Sequence, residues 1–365
     1  MFVKNLTIQN FRNYEHASVN FSKHINLVAG LNGQGKTNLA EALVFASLAK
    51  SPRTHQDKEL IKNNSQEAKI NIKVERKFGE INIECNISKT NENSFLINYN
   101  PVKRISQVLG NLVCVYFSPQ ELKIVTGAPA DRREFCDTDI SMLSENYYNL
   151  LIRYERVLAQ RNKLLKTEKD HAKIIDTISV WDEQLASVAA PIIKTRRAFI
   201  AKLLPYAKKY LSEVSSNKED LNIEYCGVKG ENKEEIKRNI LRALDESLSK
   251  DMELGYTSVG PHRDDVKFEL NHQDARMFSS QGQARSIVLA LKLAEMKIME
   301  QELGEKPIMI FDDVFSELDG SRQKKLYSCL EDAQAIFTGT TFKFKPKDRE
   351  FVQIKVHAGS IKSIK

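Results

Sequence analysis

Gly30-Leu31-Asn32-Gly33-Gln34-Gly35-Lys36-Thr37 fits the pattern G-x-x-x-x-G-K-[ST] at every fixed position. Residues 25–29, Ile-Asn-Leu-Val-Ala, read as a short buried strand just before it. Residues 38–48 read as an amphipathic helix just after it, with Leu39, Ala42, Leu43 and Ala46 on one face. A strand feeding a Gly-rich turn and then a helix aims several backbone N–H groups and the positive end of the helix at one point. That point suits a polyphosphate. Lys36 would lie along the β- and γ-phosphates, and Thr37 would offer its hydroxyl to Mg²⁺. The competing reading is a Gly-rich turn that matches by accident. The strand and helix on either side argue against it.

The 365 residues, 41% hydrophobic and 28% charged, suffice for one large core or two smaller ones. No run approaches the roughly 18 apolar residues of a membrane span. The first residues, Met1-Phe2-Val3-Lys4-Asn5, enter strand-like alternation at once and lack the apolar core of a signal peptide. Cys85, Cys114, Cys136, Cys226 and Cys329 are scattered, with no C-x-x-C pair and no neighbouring histidines, which argues against a zinc site or a disulfide framework. Reduced thiols and a cytoplasmic location are expected. The net charge of +7 is compatible with a nucleic-acid partner without requiring one.

Up to about residue 117 the chain alternates with period two, in residues 2–8, 16–21, 69–75 and 80–88. These runs read as antiparallel strands with one solvated side. From about residue 131, Tyr147, Leu150, Leu151, Tyr154, Val157 and Leu158 recur at helical spacing, and Trp181, Leu185, Val188 and Ile192 form a second such run. Two long helices folded against each other as an arm are predicted over about residues 140–215. The arm is rich in Arg and Lys, which fits a solvated helix face as well as a DNA-phosphate surface. Residues 216–235 read as loop around a short strand at 221–225. A helix at 283–302, a strand at 307–311, a helix at 321–331 and a strand at 335–337 return to α/β texture. The division expected is an N-terminal ATPase half (1–130), a helical arm (131–220) and a C-terminal ATPase half (221–365).

Ile308-Met309-Ile310-Phe311-Asp312-Asp313 is an apolar strand ending in two carboxylates, the form of a Walker B segment. Asp312 would complete the metal site with Thr37, and Asp313 stands where a general base or water-orienting group reaches the γ-phosphate. Val314-Phe315-Ser316-Glu317-Leu318-Asp319 then has the pattern of the D-loop of ABC-type ATPases, including Ser316 and Asp319. Upstream, Ser280-Gln281-Gly282-Gln283 opens a helix and matches the core of the ABC signature, a second anion-binding surface. An ordinary N-cap is the competing reading of Ser280. Walker A and Walker B lie roughly 270 residues apart, far more than in a compact P-loop enzyme. That is the plan of an α/β ABC-type (SMC-like) P-loop ATPase head with a β-rich lobe and an inserted helical arm.

The chain resembles the RecF family of bacterial recombination mediators nearly end to end. The resemblance rests on Phe11-Arg12-Asn13-Tyr14, Gly30 to Thr37 with Asn38, Phe117-Ser118-Pro119, Gly127-Ala128-Pro129 with Arg132-Arg133, and Gln160-Arg161-Asn162. Gly260-Pro261-His262-Arg263-Asp264-Asp265, Ser280-Gln281-Gly282-Gln283 and the Asp312 to Asp319 block complete it. The resemblance implies an ATP-dependent homodimer that binds double-stranded DNA near single-strand to duplex junctions. It further implies work with RecR and RecO in placing RecA on gapped DNA, and slow DNA-stimulated ATP hydrolysis that resets the dimer.

It also implies that Gly30, Asn32, Gly33, Gln34, Gly35, Lys36, Thr37 and Asn38 hold ATP and Mg²⁺. Arg12 and Asn13 would line the site, and Gln120 would sense the γ-phosphate. Ser280, Gln281, Gly282 and Gln283 would act across the dimer, with Asp313 and Lys36 catalytic. Arg161, Lys163, Arg196 and Arg197 are the expected DNA contacts in the arm. The segment Phe337-Thr338-Gly339-Thr340-Thr341 has no histidine where ABC ATPases place one, so either Thr340 or Thr341 substitutes or the function is absent; His262, in a Pro-Arg-Asp turn, reads more readily as structural than as the replacement. An SMC-like architectural clamp with incidental hydrolysis is the alternative function. The short arm argues against it.

Overall fold

The computed structural model describes residues 1–168, 170–215, 219–315, 318–342 and 349–364. In chain order the elements are β1 (Phe2–Phe11), β2 (Tyr14–Asn20), β3 (Ile25–Ala29), α1 (Lys36–Leu48), β4 (Glu67–Arg76), β5 (Gly79–Ser88), β6 (Ser94–Ile97), β7 (Asn100–Val102) and β8 (Cys114–Phe117). There follow α2 (Lys123–Thr126), α3 (Pro129–Leu143), α4 (Glu145–Thr167), α5 (His171–Ser215), β9 (Leu221–Cys226), α6 (Lys233–Leu254), β10 (Asp265–Leu270), β11 (Gln273–Asp274) and α7 (Ala275–Phe278). The chain ends with α8 (Gln281–Leu303), β12 (Ile308–Asp312), α9 (Gly320–Cys329), β13 (Ala335–Gly339), β14 (Phe351–His357) and β15 (Ser360–Ile364).

The chain divides into two compact units. One holds residues 1–122, 209–218 and 285–365, and the other 123–208 and 219–284. In the first unit a six-stranded sheet runs β2-β1-β4-β5-β6-β7, and its β1–β2, β1–β4 and β4–β5 pairs are antiparallel. Ala68, Ile70, Ile72 and Val74 of β4 are buried while alternate positions face out, as the period-two pattern predicts. The second sheet runs β15-β14-β3-β13-β12-β8. Its inner strands β3, β12 and β13 are buried at every residue, the texture of parallel strands covered on both faces.

Helix α1 differs from the amphipathic helix expected. Lys36 and every residue from Leu39 to Ser47 are buried. The reason is packing on two sides, because its apolar residues share one core with β1, β4 and β5 and with β3, β12 and β13. A helix buried all round needs no polar face.

In the second unit β11-β10-β9 form a small antiparallel sheet. The predicted pair of arm helices is α4 and α5, with Ser144 capping α4 by accepting from the Tyr147 N–H at 3.2 Å. Residues 216–235 were expected as loop around a short strand and no element was expected over 236–254, yet α6 starts at Lys233, capped by Asn232, and runs to Leu254, adding a third helix to the arm. Leu165 of α4 and Ile174 and Ile178 of α5 cluster with Leu248 and Met252 of α6. Contacts group residues 219–284 with the arm rather than with the first unit.

Candidate functional site

Parallel register brings the C-terminal ends of four strands together. Ala29 pairs with Gly339, Asp312 with Thr338, and Phe117 with Phe311. The phosphate loop leaves β3, the two carboxylates leave β12, and Gln120 lies just past β8. A crevice at the carboxyl ends of parallel strands is where such sheets bind ligands.

Thr37 donates its hydroxyl to Asp312 Oδ1 at 3.0 Å, which joins residues 275 positions apart in sequence. Thr338 Oγ1 donates to the same oxygen, and the Tyr116 hydroxyl donates to Oδ2 at 3.2 Å. Asp312 is therefore buried yet fully hydrogen-bonded. Burial moves the Lys36 ammonium below its usual range, against the pull of Asp313 and Asp312. Its Nζ donates to the Leu31 carbonyl at 3.0 Å, spanning the loop that a polyphosphate would fill. Asp313 adopts φ 57, a left-handed conformation uncommon for Asp. Its N–H is held by the Thr338 carbonyl at 3.2 Å and hydroxyl at 3.0 Å. Sequence reading missed Thr338 and Tyr116. Their signal was position, one strand away from Asp312.

Two hairpins brace the loop. Asn13, in the β1–β2 turn, donates to the Gln34 carbonyl at 3.0 Å and accepts from Asn38 Nδ2 at 2.8 Å. Gly35 sits at φ 118, and a Cβ there would lie 2.8 Å from Asn13 Oδ1 and from the Tyr14 ring, so glycine is required on two counts. From the other side, the β14–β15 turn donates the Ala358 N–H to Gln34 Oε1 at 2.6 Å and the Gly359 N–H to the Gln34 carbonyl at 3.0 Å. No sequence expectation covered this C-terminal hairpin. Arg12 lies behind the loop with its guanidinium on Glu41. Gly33, Asn32 and Gln120 are exposed or at the loop tip, and Gly30 closes against the Val356 carbonyl, 2.5 Å from where a Cβ would stand.

The sequence pattern of the RecF/RecN/SMC N terminal domain family matches residues 2–360. The chain is 41% identical to the DNA replication and repair protein RecF of Alkaliphilus oremlandii over 357 residues, covering 96% of this chain and 97% of that protein. It is 41% identical to the same-named protein of Clostridium acetobutylicum, covering 93% of each. The chain belongs to the RecF family. Among solved structures it is similar to the recombination mediator protein RecF-ATP in the RecFOR pathway, with TM-score 0.92, 35% identity, and coverage of 99% of this chain and 97% of that one. The Smc head domain of Pyrococcus furiosus, with TM-score 0.56 and 15% identity, shares the fold. The ABC-type, SMC-like head with a helical insertion is thus the fold of this RecF-family chain.

The signature residues lie in the second unit. Ser280 caps α8 in a reciprocal box: its hydroxyl accepts from the Gln283 N–H at 3.2 Å, and Gln283 Oε1 accepts from the Ser280 N–H at 2.9 Å. The N-cap reading of Ser280 therefore holds. Ser280 and Gln281 are exposed, and Gly282 and Gln283 half-buried. Asp319 caps α9 by accepting from the Ser321 and Arg322 N–H groups at 2.9 and 3.0 Å, bonds that lower its carboxyl. Ser316 lies outside the described residues. Thr340 and Thr341 are exposed beyond β13, whereas Thr338 faces Asp312.

The expected DNA contacts need correction. Arg161 is completely buried and donates to Asp182 at 2.6 Å, Asp251 at 2.7 Å and Thr257 at 2.9 Å. Arg196 is buried against both carboxylate oxygens of Asp137, at 2.8 and 2.7 Å, and the Pro261 carbonyl. Arg197 donates to the carbonyls of Gly230 and Val228. Of the four, Lys163 alone is exposed. Helical spacing marked these side chains as cationic, and their acidic partners, 21 to 90 positions away, decided where the charge went.

His262 is a half-buried residue of the same unit with both ring nitrogens partnered. Burial holds its imidazole down at about 4, below the usual 6.5. Its Nδ1 is 2.6 Å from the Tyr154 hydroxyl and its Nε2 3.0 Å from the Thr257 carbonyl, so Nε2–H donates and Nδ1 accepts. Burial also pushes neighbouring Asp264 up to about 6 from 3.8, although Tyr225 donates to it at 2.5 Å. Between pH 4 and 6.5 the unfolded imidazole binds a proton that the folded one refuses, so His262 makes stability rise with pH. Between pH 3.8 and about 6 the folded Asp264 keeps a proton that the unfolded carboxyl has lost, so Asp264 makes stability fall with rising pH. Asp264→Asn, which removes the opposing group, should steepen the rise of melting temperature between pH 4 and 6. An unchanged or shallower slope in thermal denaturation would contradict this assignment.

Proposed function

We infer that this chain is an ATP-dependent DNA replication and repair protein that acts as a recombination mediator, with dimerisation as its output. The 3.0 Å bond between Thr37 and Asp312 supports this most directly, because it aligns two hard oxygen ligands beside the phosphate loop. Mg²⁺ takes one or two protein oxygens and completes its shell with phosphate and water, so this pair suits it. Once bound, the ion neutralises charge that develops on the β- and γ-phosphates. Lys36 and the N–H groups of Gly33 to Asn38 hold the phosphates, with Gly30, Asn32 and Gln120 around them, while Arg12 and Asn13 brace the loop from behind. Asp313 orients the attacking water and accepts its proton. An Asp is one methylene shorter than a Glu and reaches less far, which fits a slow switch. The site as read is half of one. Ser280, Gln281, Gly282 and Gln283 of a second copy supply the anion-binding surface opposite, and Asp319 lines that interface.

The partners follow from family membership: double-stranded DNA near junctions with single strands, and the RecR, RecO and RecA pathway in the cytoplasm. No helix among the described residues is long and apolar enough to cross a membrane. The ATPase head is formed from both ends of the chain, with the helical arm inserted between them. For DNA, the outer face of α4 replaces the buried arginines. Arg153, Arg156 and Lys163 are exposed there, and none forms an ion pair among the described residues. At about 100° and 1.5 Å per residue they fall within roughly 80° of arc along about 15 Å of helix.

Lys36→Ala should abolish ATP binding in a fluorescent-nucleotide titration, and retained binding would remove the phosphate loop from the mechanism. Asp313→Asn should lower kcat by about 10²- to 10⁴-fold and trap an ATP-bound dimer on size-exclusion chromatography. A variant that stays monomeric in excess ATP and Mg²⁺ rules out the switch. Replacing Arg153, Arg156 and Lys163 together with Ala should reduce the slope of log affinity for duplex DNA against log salt by up to about 2.7. An unchanged slope returns those charges to a solvated face.

A further inference from the structure

Glu41 lies on α1, one turn beyond Thr37, and is completely buried. Nothing in the phosphate chemistry above uses it. A buried carboxylate is costly unless its oxygens are compensated, and here four donors compensate it. Arg12 donates Nε to Oε2 at 2.9 Å and Nη2 to Oε1 at 2.7 Å. Ser51 donates to Oε1 at 2.7 Å, and Arg53 Nη1 donates to Oε2 at 3.2 Å.

The bonds do not stop at the ion pairs. Arg53 Nη1 also donates to Asn38 Oδ1 at 3.0 Å, Asn38 Nδ2 donates to Asn13 Oδ1 at 2.8 Å, and Asn13 Nδ2 donates to the Gln34 carbonyl at 3.0 Å. Each amide uses its oxygen on one side and its nitrogen on the other, so the orientation of each depends on the one before. The relay begins at Glu41 and ends on the backbone of the phosphate loop. Arg12, the other guanidinium on Glu41 and itself part of the β1–β2 turn, also donates Nη1 to the Glu59 carbonyl at 2.9 Å, which ties the same carboxylate to the short turn at residues 57–60.

We propose that Glu41 is a positioning residue for the phosphate loop: through Arg53, Asn38 and Asn13 it fixes the Gln34 peptide in the conformation that receives phosphate. The proposal rests on the reading of the loop as an ATP site. Glu41 touches no nucleotide, so its loss should act on affinity more than on the chemical step.

The test measures the ATP dissociation constant, KM and kcat for the full chain, for Glu41→Gln, for Arg53→Ala and for the double variant, with Lys36→Ala as reference. Glu41→Gln and Arg53→Ala should each weaken ATP binding about 10-fold, with kcat at saturating ATP changed less than about twofold. The double variant should bind no more weakly than either single one, because both cut one relay. A purely structural role would lower melting temperature and leave ATP affinity unchanged, or give losses that multiply, and either result overturns the proposal. If Glu41→Gln does not fold, Arg53→Ala and Asn13→Ala carry the same test, since both relay side chains are partly solvated and cut the relay further along. Unchanged affinity in that pair would overturn the proposal equally. A wild-type chain that binds no ATP would instead refute the ATP site itself, whereas binding that Lys36→Ala destroys and Glu41→Gln leaves intact would refute only the relay.

Discussion

A single buried carboxylate, Asp312, holds the head together at its working end. Hydroxyls from three segments converge on it: Thr37 after the phosphate loop, Tyr116 on β8 and Thr338 on β13. A buried carboxyl group left without partners costs several kcal/mol, so the three donors offset the burial of Asp312 inside the fold. The consequence is geometric. The phosphate loop, the strand that carries the acids and the flanking strand cannot move apart without stranding that charge. Thr37 and Asp312 are therefore aligned by hydrogen bonds within the protein.

This constraint explains why so much of the site could be read from sequence. A phosphate loop requires glycines where the backbone turns left-handed and a Lys-Thr pair at a helix start, and residue type alone encodes each of these. An apolar strand ending in Asp312-Asp313 is equally local. The order of these blocks, with Ser280 to Gln283 ahead of the acids, carried the ABC-type head, and the parallel register of β3, β13, β12 and β8 bears that out.

What stayed hidden depends on partners far away in sequence. Arg161 and Lys163 are two positions apart on the same basic helix, yet one is sealed against Asp182 and Asp251 and the other is exposed. Nothing within a helical turn of either distinguishes them. The same holds for α1, where periodicity promised one apolar face and two sheets bury all of them. It holds again for the β14–β15 turn, whose contact with Gln34 crosses 324 positions. Thr338 was visible as a residue and not as a partner, because its role exists only once β13 lies beside β12.

Asp313 is where strain and chemistry meet. Its φ of 57 lies in the left-handed region, which a glycine adopts freely and an aspartate more readily than most residues but still at some cost. The carbonyl and hydroxyl of Thr338 hold the Asp313 N–H. The same hydroxyl donates to Asp312, so one side chain fixes the Asp312 carboxylate and the backbone of the next residue together. The backbone at Asp313 is thus tied to the position of Asp312 through a single hydroxyl. Two adjacent acids in sequence become one mechanical unit. That unit needs β13 as its third member, which gives a physical reason for the hydroxyl at residue 338.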